Sequence, residues 1–164
     1  MAYSTVADLI GPAIQIENTC QALYEGMERK FAHTPEVTSY WHHYALEEAG
    51  HARWLTDLRA KSTAEQLEQK ADADILLHAQ KMLKFAVDQA GKNIRNLEDA
   101  YQIASELENT ETNAVMEFLI TNYADNRGTA NFLRSQLNVH MTNLQSKLPS
   151  VYQSKFARES LKAL

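Results

Sequence analysis

Six carboxylate and imidazole side chains stand where the helical period of the chain calls for apolar ones: Glu17, the pair Glu48 and His51, the pair Glu108 and Glu111, and His140. A carboxylate buried without a partner is costly enough that it takes up a proton or finds a counter-charge. No lysine or arginine shares these positions, so the balancing charge must come from elsewhere, and two divalent cations would supply it. Residues three apart on a helix lie on one face, so Glu48 with His51, and Glu108 with Glu111, can each address one site. Carboxylate oxygen with imidazole nitrogen suits iron, manganese or zinc better than copper(I) or calcium. A lone Glu-x-x-His arises readily by chance; six such residues near the middle of four apolar stripes do not.

The elements that would position them are helices. Five glycines and three prolines interrupt the sequence, and between them apolar residues recur at alternating steps of three and four. A first helix from about Ser4 to Ala32 has Val6, Leu9, Ala13, Ile16, Cys20, Leu23 and Met27 along its seam. Gly11-Pro12 within it is expected to delay the regular helix or to kink it. A second, opening at Thr34-Pro35 and reaching about Arg59, follows Trp41, Tyr44, Glu48, His51, Leu55 and Leu58. From Lys61 to Asn96 the chain reads as a long connection with its own helix: Ser62 and Glu65 have capping-box spacing, and Ile75, Leu76, Met82, Leu83 and Phe85 form an apolar face. The third main helix, capped near Asn96, follows Leu97, Tyr101, Ala104, Glu108, Glu111, Val115 and Phe118. After a turn at 124–128 the fourth follows Leu133, Leu137, His140 and Leu144 until Pro149 stops it, and a short amphipathic tail runs from Val151 to Leu164. Four long helices with one long middle crossover form an all-α, ferritin-like four-helix bundle, a single domain over 1–164 with a short C-terminal helix. Ile16-Glu17-Asn18-Thr19 recurs as Leu107-Glu108-Asn109-Thr110, and His51 matches His140 at nearly the same offset, as two related helix pairs would produce.

Composition narrows the partners. The net charge of −5 and scattered basic residues leave no footprint for nucleic acid. The single cysteine, Cys20, excludes an internal disulfide and multi-cysteine metal sites, and fits a reducing compartment. With no basic start and apolar run at the N-terminus, and no apolar stretch of about 18 residues, a cytoplasmic protein without membrane contact is expected.

Over nearly its whole length the chain resembles the rubrerythrin branch of the ferritin-like di-iron carboxylate proteins. Tyr44-Ala45-Leu46-Glu47-Glu48-Ala49-Gly50-His51 is similar to that family's second-helix motif, and Ile14-Gln15-Ile16-Glu17 with Tyr24 to its first. The resemblance implies terminal ligands Glu17 and Glu108, a bridging Glu48 with His51, a further ligand at Glu111, and His140 from the fourth helix. Tyr24 is then a hydrogen-bond partner of a ligand carboxylate. Two departures stand out: the second bridging glutamate is replaced by Leu137, and no four-cysteine rubredoxin segment is present. The activity implied by the resemblance is that of a peroxidase or ferroxidase with two irons per chain (manganese or zinc in the same donors). Its substrate would be peroxide, dioxygen or ferrous iron, its electrons would come from an external donor, and it would form a homodimer through residues such as Leu77, Phe85 and Val151. The rival expectation, set by Leu137, is a non-catalytic bundle with a degenerate or mononuclear site for metal binding, storage or partner binding. Glu47 is expected in solvent, His42 and His43 at the surface or in a subunit contact, and Trp41, Tyr44 and Trp54 in packing.

Overall fold

The computed structural model describes residues 4–109 and 112–146. They form seven helices: α1 (Val6–Lys30), α2 (Pro35–Lys61), α3 (Ala64–Leu67), α4 (Ala73–Ala90), α5 (Leu97–Asn109), α6 (Thr112–Tyr123) and α7 (Arg127–Ser146). No strand occurs among the described residues; an isolated bridge pairs Thr5 with Lys70. Among the described residues no helix is long and apolar enough to cross a membrane.

The helix starts follow local chemistry. Thr5 and Asp8 close a capping box on α1, which begins ahead of Gly11-Pro12 and runs on through them, so the proline does not delay it. Pro35 occupies the first turn of α2, where its missing N–H costs nothing. The capping box expected at Ser62 lies one residue later: Thr63 and Gln66 cap the short α3. Asn96 accepts from the backbone N–H of Asp99 as α5 begins, and Asn126 does the same for Thr129 in α7. The third helix expected from the periodicity is described as α5 and α6, and Glu111 lies outside the described residues, as do Pro149, Val151 and the tail.

The buried apolar side chains fall into two clusters, one toward each end of the bundle. One holds Ile16, Leu23 and Met27 of α1, Val37, Trp41 and Tyr44 of α2, Ile103 and Leu107 of α5, and Leu144 of α7. The other holds Val6, Leu9 and Ala13 of α1, Leu55 and Leu58 of α2, Val115, Met116 and Leu119 of α6, and Leu133 of α7. The order in which each helix meets the clusters gives its direction: α1 and α7 run one way, α2 and the α5–α6 segment the other. Because α2 and α5–α6 are parallel, the chain must return the full length of the bundle between them. Helix α4 makes that return, placing Ala79 in the second cluster and Met82 and Ala86 in the first, and packing along α1. Every predicted seam residue of the first two helices is buried. Leu97, Tyr101 and Phe118 are only partly so, because α5 and α6 instead bury Ala100, Ile103, Leu107, Met116, Leu119 and Ile120. Phe85 packs half-buried against the first cluster, whereas Leu77 is exposed.

Candidate metal centre

Between the two apolar clusters lies a polar layer to which α1, α2, α5 and α7 each contribute. Glu17, Glu48, His51 and His140 are buried, and the Glu108 side chain is 11% exposed. These five of the six expected ligands are brought together; the sixth, Glu111, lies outside the described residues. Two groups of three have donor atoms that all lie within 4.8 Å of one another: Glu17, Glu48 and His51, and Glu48, Glu108 and His140. Glu48 belongs to both, and its two oxygens divide between them. Oε2 lies 3.2 Å from His51 Nδ1, and Oε1 lies 3.5 Å from His140 Nδ1. Each imidazole then meets one terminal carboxylate, His51 Nδ1 at 3.5 Å from Glu17 and His140 Nδ1 at 3.3 Å from Glu108. Donors held ~2.1 Å from a common ion in a tetrahedral arrangement lie about 3.4 Å apart, so these spacings, which are also those of imidazole–carboxylate hydrogen bonds, would admit a common ion.

A small cavity completes the site. Its volume is about 20 Å³ and it is lined by the five ligand-type residues with Cys20, Leu107 and Leu137, room for roughly one water molecule. Leu137 thus stands beside the cluster, as its place three residues before His140 requires. The Tyr24 hydroxyl donates to Glu108 Oε1 at 2.6 Å, as the sequence suggested, and its ring stacks on Trp41 at 5.8 Å. Burial and the neighbouring Glu108 hold the Tyr24 hydroxyl well above its usual pKa, so it remains a donor. Burial does the same to the Cys20 thiol, reinforced by Glu48, Glu17 and Glu108.

Without a cation, protons do the balancing. Burial and the charge of Glu17 push Glu48 well above the carboxylate range. Burial also opposes ionisation of Glu17, but hydrogen bonds to His51 and Glu48 and the nearby imidazoles outweigh it and bring Glu17 below its usual value. Both imidazoles resist burial through their carboxylate neighbours, His51 being raised to about 10 and His140 to about 11. A divalent ion would provide the same positive charge at the same donors, in exchange for those protons.

Two contributors are not apparent from sequence alone. Glu47 is not left to solvent: its side chain is 13% exposed, with Oε2 against His140 Nε2 and Oε1 3.1 Å from Nε2 of the exposed His43. Tyr44 is more than packing, since its hydroxyl donates to the His140 carbonyl at 2.9 Å and its ring stacks on the imidazole at 4.8 Å. The tyrosine had a visible signal in its place one turn before Glu48; the glutamate had none beyond adjacency. His42 is exposed and pairs with Glu28, and Trp54 packs against the second apolar cluster. The chain finds no match among protein-family models, curated proteins or solved structures.

Proposed function

We propose that this chain is a ferritin-like dimetal carboxylate protein of the rubrerythrin kind, an oxidoreductase that reduces peroxide or dioxygen or oxidises ferrous iron. The observation that carries the reading is Glu48, a buried carboxylate whose two oxygens each complete a separate carboxylate–imidazole triad. The parallel course of α2 and α5–α6, joined by α4, supports the ferritin-like topology. Glu17, Glu48 and His51 would hold one iron and Glu48, Glu108 and His140 the other, with Glu111 as the further ligand that the family resemblance implies; manganese or zinc suits the same donors. Bound iron supplies the change of oxidation state through which electrons reach an oxygen species. The chain supplies the rest: Glu48 fixes the separation of the two positions, Tyr24 holds Glu108 by a hydrogen bond, and Leu107, Leu137 and Cys20 leave room only for a molecule of very few atoms. Electrons would come from a separate donor. Metal per chain in protein purified without chelator, followed by peroxide addition, tests the reading. Two irons per chain and their peroxide-dependent oxidation support it, and protein that neither retains metal nor takes up added ferrous iron refutes it.

Leu137 favours a second reading. An apolar side chain lining the cavity where a second bridging carboxylate would stand suits a single bound ion without turnover, and one zinc per chain would be its signature. In either case the exposed apolar side chains Leu46, Leu77, Val87, Phe132 and Val139 suit a homodimer, which a monomeric mass by light scattering would rule out.

A further inference from the structure

We infer that Leu137 is the gate through which a neutral molecule of two heavy atoms, peroxide or dioxygen, passes from an open pocket on the protein surface into the cavity of the polar layer. The inference rests on the metal reading above and adds to it the route and the chemical class of what arrives. Eight side chains line the inner cavity; six of them are buried, and Glu108 and Leu137 are partly exposed. Glu108 is tied down by the Tyr24 hydroxyl. Leu137 also lines a second space, an open pocket of about 300 Å³ that it shares with Glu117, Arg134 and Asn138. One side chain therefore forms a wall of both.

That wall is of a kind that can move. A carboxylate at position 137 would be drawn to the cluster and fixed there by a proton or a cation, whereas leucine has no polar atom and is held by dispersion against the second apolar cluster. Rotamer changes of side chains at the surface are fast, and the pocket outside has room for a side chain that swings outward. The neck opened in this way is apolar, so a neutral molecule crosses it without the desolvation cost that an ion would meet. The pocket does not gather ions either. Arg134 is neutralised by Glu117, with Nε 2.8 Å from Oε1, and its Nη2 donates to Thr121 at 2.8 Å. Behind the neck, about 20 Å³ remains for the molecule that enters.

Cys20 lines the same cavity and is the only thiol of the chain, so it reports arrival with no metal present. When peroxide reaches it, the sulfur takes one oxygen, the O–O bond breaks, and the other oxygen leaves as water with the thiol proton, giving a sulfenic acid. The experiment is the rate of that oxidation in the full, chelator-stripped chain, followed as loss of the free thiol in quenched and unfolded samples. Leu137→Ala should accelerate it by about tenfold, ~1.4 kcal/mol in the barrier, and Leu137→Phe should slow it. Leu107→Ala, which widens the same cavity from a buried position outside the pocket, should accelerate it far less. Asn138→Trp, a change at an exposed residue of the pocket, should slow it from outside. The rate of cobalt(II) uptake, followed by stopped-flow absorbance, should be the same in Asn138→Trp as in the unaltered protein. Thermal melts report whether each variant folds, and if either leucine variant does not, Asn138→Trp decides. No acceleration in Leu137→Ala, equal acceleration in Leu107→Ala, or an unaltered rate in Asn138→Trp would each overturn the gate while leaving the metal reading intact. Cobalt(II) uptake slowed as much as peroxide would overturn the restriction to neutral molecules. Absence of any cobalt binding removes the metal reading, and the peroxide rates then decide the route by themselves.

Discussion

Replacing Leu137 by glutamate probes the most unusual position of the layer. Leu137 is half-buried, lines the cavity beside Glu17, Glu48 and Glu108, and packs on its other side against the second apolar cluster. In the metal-free protein Leu137→Glu adds a carboxylate to a layer that already holds Glu17, Glu47, Glu48 and Glu108, and removes apolar contact. A buried polar group without a partner costs about 1–3 kcal/mol on mutational scales. For a domain of this size each kcal/mol moves the melting temperature by about 2–4 °C, so a fall of roughly 2–12 °C is expected. An ion at one hundred times its Kd returns about 2.7 kcal/mol, and the variant offers that ion a donor three residues before His140 on the same helix face. The deficit should therefore shrink or reverse with iron(II) or manganese(II), and bound metal per chain should rise. Melting curves of both proteins with and without metal, with metal analysis of each, decide the matter. An equal deficit in both conditions with no extra metal would show that the position does not address the cluster, and the dinuclear reading would fall with it.

Other changes separate the parts of the site. Glu48→Ala should abolish uptake at both positions whereas Glu108→Ala should spare one, as equilibrium dialysis with cobalt(II) would show; full retention of two ions by Glu48→Ala would end its bridging role. Glu111→Ala should only weaken binding. In the metal-free protein both imidazoles titrate above their ordinary value of 6.5, at about 10 for His51 and about 11 for His140. Their contribution to stability is therefore complete below about pH 6.5 and lost as pH rises through 10 and 11. Since a metal must displace those protons, affinity should increase with pH and each ion bound should release protons, measurable by titration calorimetry in buffers of different ionisation enthalpy; pH-independent affinity would contradict the proton-balanced cluster. Tyr24→Phe, removing the 2.6 Å hydrogen bond to Glu108 from a fully buried position, should cost about 1.5–3 kcal/mol in urea unfolding.

The parts of the molecule that sequence made legible are those governed by spacing along one helix. In the first two helices a single apolar stripe faces the interior, so the period from Val6 to Met27 and from Trp41 to Leu58 identifies the buried face without ambiguity. In the third, large apolar residues occur on more than one face: Leu97, Tyr101 and Phe118 compete with Ile103, Leu107, Met116 and Leu119, and α4 packs against α6 from another side. Periodicity has no means of ranking two such stripes. Glu17, Glu48, His51 and His140 were legible because a charged residue inside a clear seam is conspicuous. Glu47 was not, because its role depends on how far a glutamate reaches sideways between helices, and helix-to-helix distance is not encoded in spacing. The capping box at Thr63 rather than Ser62 is a smaller case, two hydroxyl residues in succession each offering an adequate cap.

The polar layer between the two apolar clusters also acts on the alignment of the helices. Leucines, isoleucines and alanines pack tolerably in several neighbouring alignments, so a bundle with a uniform interior gains little by choosing one. Sliding any one of α1, α2, α5 or α7 by a turn, about 5.4 Å, would here carry a glutamate or histidine out of the layer and into an apolar cluster, at a cost of about 2–7 kcal/mol for an unpartnered polar group. Glu17, Glu48, Glu108 and His140 come from four different helices and from positions far apart in the chain, so they constrain α1, α2, α5 and α7 at the same height. The cluster consequently works as a register key for the fold, set by protons when no cation is present and tightened by an ion when one is.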